Sequence, residues 1–146
     1  MTDTLAAPTG SLAVRVWRHG VLIEDSLHNN LIVGGSKLIH AQLLGGAVAG
    51  NSIVEVGFGS TLSPAAPGNT SLSLDAYTKA VDDITYPLPN QVSFHITLGN
   101  LEANGQLISE YGLLTASGAL YARLVRSAPL IKDLSMALDA QWTVTF

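Results

Sequence analysis

The sequence predicts an all-β domain, a β-sandwich or jelly-roll-like fold with one short helix and an extended N-terminal arm. Three observations lead there. Short runs of alternating apolar and polar residues recur along the chain, the period-two signature of half-buried strands. Turn residues separate those runs. Only one stretch carries helical spacing. At 146 residues and without an internal repeat, residues 1–146 read as one domain, long enough to bury a core without metal or disulfide support.

The elements follow in order. Residues 1–10, MTDTLAAPTG, are small, polar and aperiodic. Such an arm buries too little to offset its own ordering entropy, so a partner is expected to hold it. In SLAVRVW, Leu12, Val14 and Val16 alternate with Ala13, Arg15 and Trp17, and RHG turns the chain into VLIED, an opening hairpin. NNLIVGGSKLIHAQLLGG is the helix candidate. Ser36 stands as its cap, Leu38, Ile39 and Leu43 (with Ile32) lie on one side, and Gly45-Gly46 stop it. Two to three turns are unstable alone, so the helix must pack on a sheet.

SIVEVGF is a further strand, and GSTLSPAAPGNTSLSLD is a long loop of the kind that is usually functional or held by a partner. YTKAVDDITY reads as one strand with an irregular middle at Asp82-Asp83. QVSFHITL has the cleanest alternation, with Val92, Phe94, Ile96 and Leu98 inward and His95 outward. EANG is a turn, LISEYGLL and ALYARLV are strands joined by TASG, and SAPLIKDLSMALDAQ reads as an extended crossing or edge segment. QWTVTF closes the chain with Trp142, Val144 and Phe146 on one face.

Composition narrows the function. Apolar residues make up 47% of the chain and charged residues 12%, about half the charge of an ordinary globular domain; mean hydropathy is +0.33. Such a surface is expected to lie in a membrane or under neighbouring subunits. The longest weakly polar stretch, LLGGAVAGNSIVEVGF, is interrupted by glycines, Asn51, Ser52 and Glu55, far short of the ~20 apolar residues of a spanning helix. MTDTLAAPTG has neither the basic nor the apolar region of a secretory signal. The expectation is a subunit of an assembly. A net charge of −4 argues against direct nucleic-acid binding, which needs clustered Lys and Arg. The absence of Cys excludes disulfides and thiolate metal sites and suits a reducing compartment.

No motif points to catalysis or a cofactor. His19, His28, His40 and His95 lack ligand spacing on any one element. VGGSK and FGSTLS contain neither a phosphate loop nor a nucleophile elbow. Asp82-Asp83 lacks the acidic loop of a Ca²⁺ site. Glu110, between Ile108 and Gly112, is expected to be partly buried, to pair with a cation such as Arg123 or Lys132, and to act as scaffold. In LISEYGLL, Leu107, Tyr111 and Leu113 share one parity and Ile108 and Glu110 the other.

The order of NLIVGGSKLIHAQLLGG, VEVGFGS, SPAAPGNTSL, VSFHITLGNLEANGQLISEYGLLTASGALYARLVRSAPLIK and WTVTF resembles small virion proteins of tailed bacteriophages. It is similar to the tail-collar domain that begins many tail fibres, with a Gly-led helix, a GFG-like strand, a Pro-containing loop and an E-x-GL hairpin. Here these correspond to Gly35 and the helix behind it, Gly57 to Gly59, Pro67 to Leu72, and Glu110 through Leu120. Head decoration (cement) proteins share the look. The resemblance covers roughly residues 30–146. A fibre would continue into a shaft, whereas this sequence stops at Phe146, which favours a fibre-less role.

The resemblance implies a non-enzymatic decoration subunit on the capsid surface, assembled in the host cytoplasm. Its partners would be the major capsid protein and copies of itself, as a dimer or trimer about a symmetry axis. The expected contact residues are Leu5, Pro8, Leu62, Pro64 and Pro67, with Glu110, Gly112, Arg123, Lys132 and Trp142 structural. The alternatives are a tail, baseplate or fibre-attachment subunit and, more distantly, a carbohydrate-binding β-sandwich using Trp17, Trp142 and tyrosines.

Overall fold

The computed structural model describes residues 6–146. Among these residues, nine strands and one helix run in the order β1 (Thr9–Arg18), β2 (Val21–Ile32), α1 (Ser36–Leu44), β3 (Ile53–Gly59), β4 (Tyr77–Ala80), β5 (Asp83–Thr85), β6 (Gln91–Leu98), β7 (Leu107–Thr115), β8 (Leu120–Ile131) and β9 (Met136–Thr145). The domain is all-β. Its strands form one continuous antiparallel sheet, in the order β4-β3-β7-β8-β2-β1-β9-β6-β5. The sheet curls on itself. Strands β4 and β5, consecutive in sequence, occupy its two opposite ends, and the residues between them touch both sides: Val81 N–H donates to Val54 C=O and Asp82 N–H to His95 C=O. The segment read as a single strand is therefore a corner that brings the two ends of the sheet together.

The opening hairpin turns through His19 and Gly20, both at positive φ (50° and 76°), as a two-residue turn between right-twisted strands requires. Leu12, Val14 and Val16 are buried. Phe94, Ile96 and Leu98 join them in the main core, Val92 packs against it half-buried, and His95 faces the other way. Trp142 and Val144 are core residues, but Phe146 is exposed. Burying a period-two apolar face is the dominant favourable term for each of these strands.

The structure corrects several expectations. The arm ends earlier than residue 10, because Thr9 pairs with β9 and Gly10 with both β2 and β9. Gly10 is covered by the Asn30 amide, which leaves no room for a side chain. Helix α1 has no side-chain cap. Gly35 holds the cap position and Ser36 is a buried first-turn residue. Ile39 is the helix's apolar anchor, while Leu38 points to solvent. The segment SAPLIKDLSMALDAQ is an edge only in its first part, which pairs with β7 alone. Its first part continues β8, and its last part is the beginning of β9, which pairs with both β1 and β6. In β7 the pairing register shifts between Ile108 and Glu110. That bulge at Ser109 turns Ile108 into the same core as Tyr111 and Leu113, so the simple two-way parity fails there.

Candidate functional site: a loop pinned to a buried ion pair

Strands β3 and β7 pair so that GFG and EYG lie directly opposite each other: Gly57 faces Gly112, Phe58 faces Tyr111 and Gly59 faces Glu110. Phe58 and Tyr111 point inward, with ring centroids 5.8 Å apart in an edge-to-face arrangement. The other four residues form the floor of a shallow site on the outer face of the sheet. Residues 60–76 run across that floor.

Each glycine has a steric reason. A Cβ on Gly57 or on Gly112 would collide with the Leu72 side chain, and one on Gly59 would collide with the Glu110 carboxylate. The facing pair Gly57/Gly112 is thus a slot for Leu72, which packs there against Leu114, Leu120 and Val33. Gly59 leaves space for the acid. Gly112 owes its place to Leu72, a role the sequence alone did not reveal.

Glu110 is fully buried and Arg123 is 2% exposed. Arg123 Nε donates to Glu110 Oε2 at 2.7 Å. Its other nitrogens reach into the loop, Nη1 to Asn69 Oδ1 at 3.0 Å and Nη2 to the Ser63 carbonyl at 2.9 Å. The second carboxylate oxygen accepts Ser73 N–H at 2.7 Å and, more weakly, Thr61 N–H at 3.4 Å. One buried pair therefore fastens the loop at four residues. Further bonds tie it down in the middle and near its ends: Gly34 N–H to Pro67 C=O and Ser60 N–H to the Ser73 hydroxyl, both 2.8 Å. A buried charge pair is tolerated when its remaining hydrogen-bonding positions are filled in this way. With both oxygens engaged and no exposed surface, Glu110 has no path to a substrate, so the arrangement has the chemistry of a clamp.

The expected contact residues fall on this loop and on the arm. Leu62, Pro64 and Pro67 are exposed, as is Leu74. The loop itself was expected to lie on a neighbouring subunit. Instead it folds back on its own domain through Ser63, Asn69, Leu72 and Ser73, and only its outward side chains are free. Pro8 is half-buried beside Thr9, Gly10 and Asn29–Ile32; Leu5 lies outside the described residues.

Lys132 does not pair with Glu110. Its side chain is buried, and Nζ donates to Asn104 Oδ1 and to the Asp133 carbonyl, each at 3.0 Å. Burial lowers its pKa. Trp142 is 1% exposed and its indole N–H donates to Asn30 Oδ1 at 2.9 Å, so its ring offers no sugar platform.

Two polar clusters escaped sequence reasoning because strand pairing alone brings them together. Arg126 binds Glu24 with two nitrogens (2.6 and 3.1 Å) and Tyr111 Oη at 2.6 Å, beside a cleft of about 400 Å³ where β2 and β8 part. Burial raises the Glu24 carboxyl, but the Arg126 bonds and charge outweigh it and hold the pKa below normal; burial pushes Tyr111 up to about 12. On the opposite part of the sheet, His95 Nε2 lies 3.0 Å from Asp139 and Nδ1 lies 3.1 Å from Asp83. Two carboxylates can both be satisfied only if both ring nitrogens carry protons, which describes an imidazolium. The Asp139 bond raises the His95 pKa, and the Asp83 bond adds to it against partial burial.

No helix among the described residues is long and apolar enough to cross a membrane. Comparison with protein-family models, with curated proteins and with solved structures gives no match.

Proposed function

We propose that this chain is a non-enzymatic structural subunit of a tailed-bacteriophage virion, a decoration subunit that binds the major capsid protein lattice. The observation that carries the reading is the clamped loop. A buried ion pair between β7 and β8 holds a Pro-rich segment in place while Leu62, Pro64, Pro67 and Leu74 face solvent. A pre-ordered loop loses little further entropy when it meets a partner, so small apolar contacts suffice. Repetition over a lattice then multiplies weak contacts into firm attachment.

The low charge and the other exposed large apolar residues, among them Val21, Ile23, Leu27 and Leu44, support covered surface in an assembly. Copies of the chain would meet through part of that surface.

The test is to purify the virions of the phage that encodes the chain, identify it by mass spectrometry and locate it by cryo-electron microscopy. The expected result is density on the outer capsid surface with residues 60–76 against the major capsid protein. Density confined to the tail or baseplate would overturn the decoration role. Absence from the particle would overturn the whole reading.

A further inference from the structure

Beneath helix α1 lies a concavity of about 200 Å³ between the helix and the ends of β3, β6, β8 and β9. Its walls are largely apolar, with Ile39 and Leu43 from the helix and Ile53, Phe94 and Val144 from the strands. An apolar cavity of about 150 Å³ is enough to take up benzene. This one differs in having polar groups in its lining, Asn51 and Ser52 at one side and a bonded pair, His40 Nε2 and Tyr121 Oη, 2.7 Å apart. Tyr121 is only 4% exposed, and a phenol can make more hydrogen bonds than the one it makes to His40. Its spare capacity, and that of the other imidazole nitrogen, has the cavity as its neighbour.

The charge of a ligand follows from the same lining. No Lys, Arg, Asp or Glu lines the space. Burial lowers the His40 pKa and pushes Tyr121 up to about 12, so both groups are neutral at pH 7. An ionised ligand would lose hydration there without gaining a counter-charge. Aromatic edges frame the mouth, with the Phe146 ring centroid 5.7 Å from that of His40.

We infer that the space between α1 and the sheet is a binding site for a neutral small molecule with one ring, or a short branched chain, bearing one hydroxyl or carbonyl that bonds the His40–Tyr121 pair. This site is separate from the clamped loop and does not depend on the proposed virion role.

Three probes of similar shape separate the contributions: phenol, toluene and benzoate, titrated into the intact protein at pH 7.5 and followed by amide and methyl chemical shifts. Phenol is expected to saturate, to shift Ile39, Leu43 and Tyr121 first, and to bind roughly threefold to tenfold more tightly than toluene, the worth of one net hydrogen bond. Benzoate should bind weakest. Tyr121→Phe should bring phenol down to toluene's affinity while leaving toluene unchanged. Leu43→Trp, at a half-buried position that tolerates volume, should block both. The inference is overturned if none of the probes saturates with the native protein, if benzoate matches phenol, if the shifts map elsewhere, or if phenol affinity survives either substitution in a folded variant.

Discussion

Replacing Glu110 by Gln keeps the shape of the clamp and removes its charge. The Arg123 guanidinium would stay 2% exposed, holding Asn69 Oδ1 and the Ser63 carbonyl but facing an amide where its counter-ion stood. Breaking a buried pair from one side costs about 3–5 kcal/mol. The Gln carbonyl can still accept from Ser73 N–H, so the lower figure, about 3 kcal/mol, is expected. Arg123→Met leaves the acid without its cation and two loop acceptors without a donor, and should cost about 4 kcal/mol by the same reasoning. In the double variant neither charge remains to be stranded. It should be more stable than the sum of the single losses implies, with a coupling of about 2–3 kcal/mol. Urea unfolding monitored by tryptophan fluorescence measures all four species, and unchanged m-values would show that the native state stays compact. Single losses below about 1 kcal/mol that simply add would refute the clamp.

The remaining expectations test the parts around it. Gly112→Ala would push Leu72 out of its slot and should cost about 1–3 kcal/mol by overpacking, with amide exchange of the loop rising before that of the strands. Phe94→Ala in the main core should cost about 3–5 kcal/mol; a loss under about 1 kcal/mol would mean that β6 is misplaced. His95 has a folded pKa above its unfolded value near 6.5, so its stabilisation is complete below about pH 6.5 and disappears as pH rises through the folded value. The stability difference between the native protein and His95→Gln should shrink over that window, and a constant difference from pH 5.5 to 9 would show that the carboxylates do not hold an imidazolium.

Strands with one covered face were legible in the sequence, since alternation records which side is dry. Val14 and Ile96 were read correctly for that reason. Strand β7 was harder, because both its faces are buried and the bulge at Ser109 breaks the period. The Glu110–Arg123 contact was among the expected pairings because the acid sits in apolar surroundings on neighbouring strands. Its second function, gripping the loop, depends on the register that sets Gly57 against Gly112. A signal was present in the tripeptide GFG, with glycines two apart on the strand that leads into a Leu-containing loop, and in the single glycine of EYG, but spacing alone does not give cross-strand register. The division of YTKAVDDITY between opposite ends of the sheet was hidden for the same reason: Val81 and Asp82 find their partners at Val54 and His95, distant in sequence.

The most direct test of the proposed role is cosedimentation of the purified protein with capsids stripped of it, comparing the native chain with Leu62→Ser/Pro64→Ser/Pro67→Ser. These side chains are exposed, so surface substitution should change stability by little, within about 1–1.5 kcal/mol for the three together. The account predicts that the variant keeps its unfolding midpoint and its Glu110–Arg123 clamp yet binds capsids at least tenfold more weakly. Binding equal to that of the native chain, with the fold intact, would contradict it.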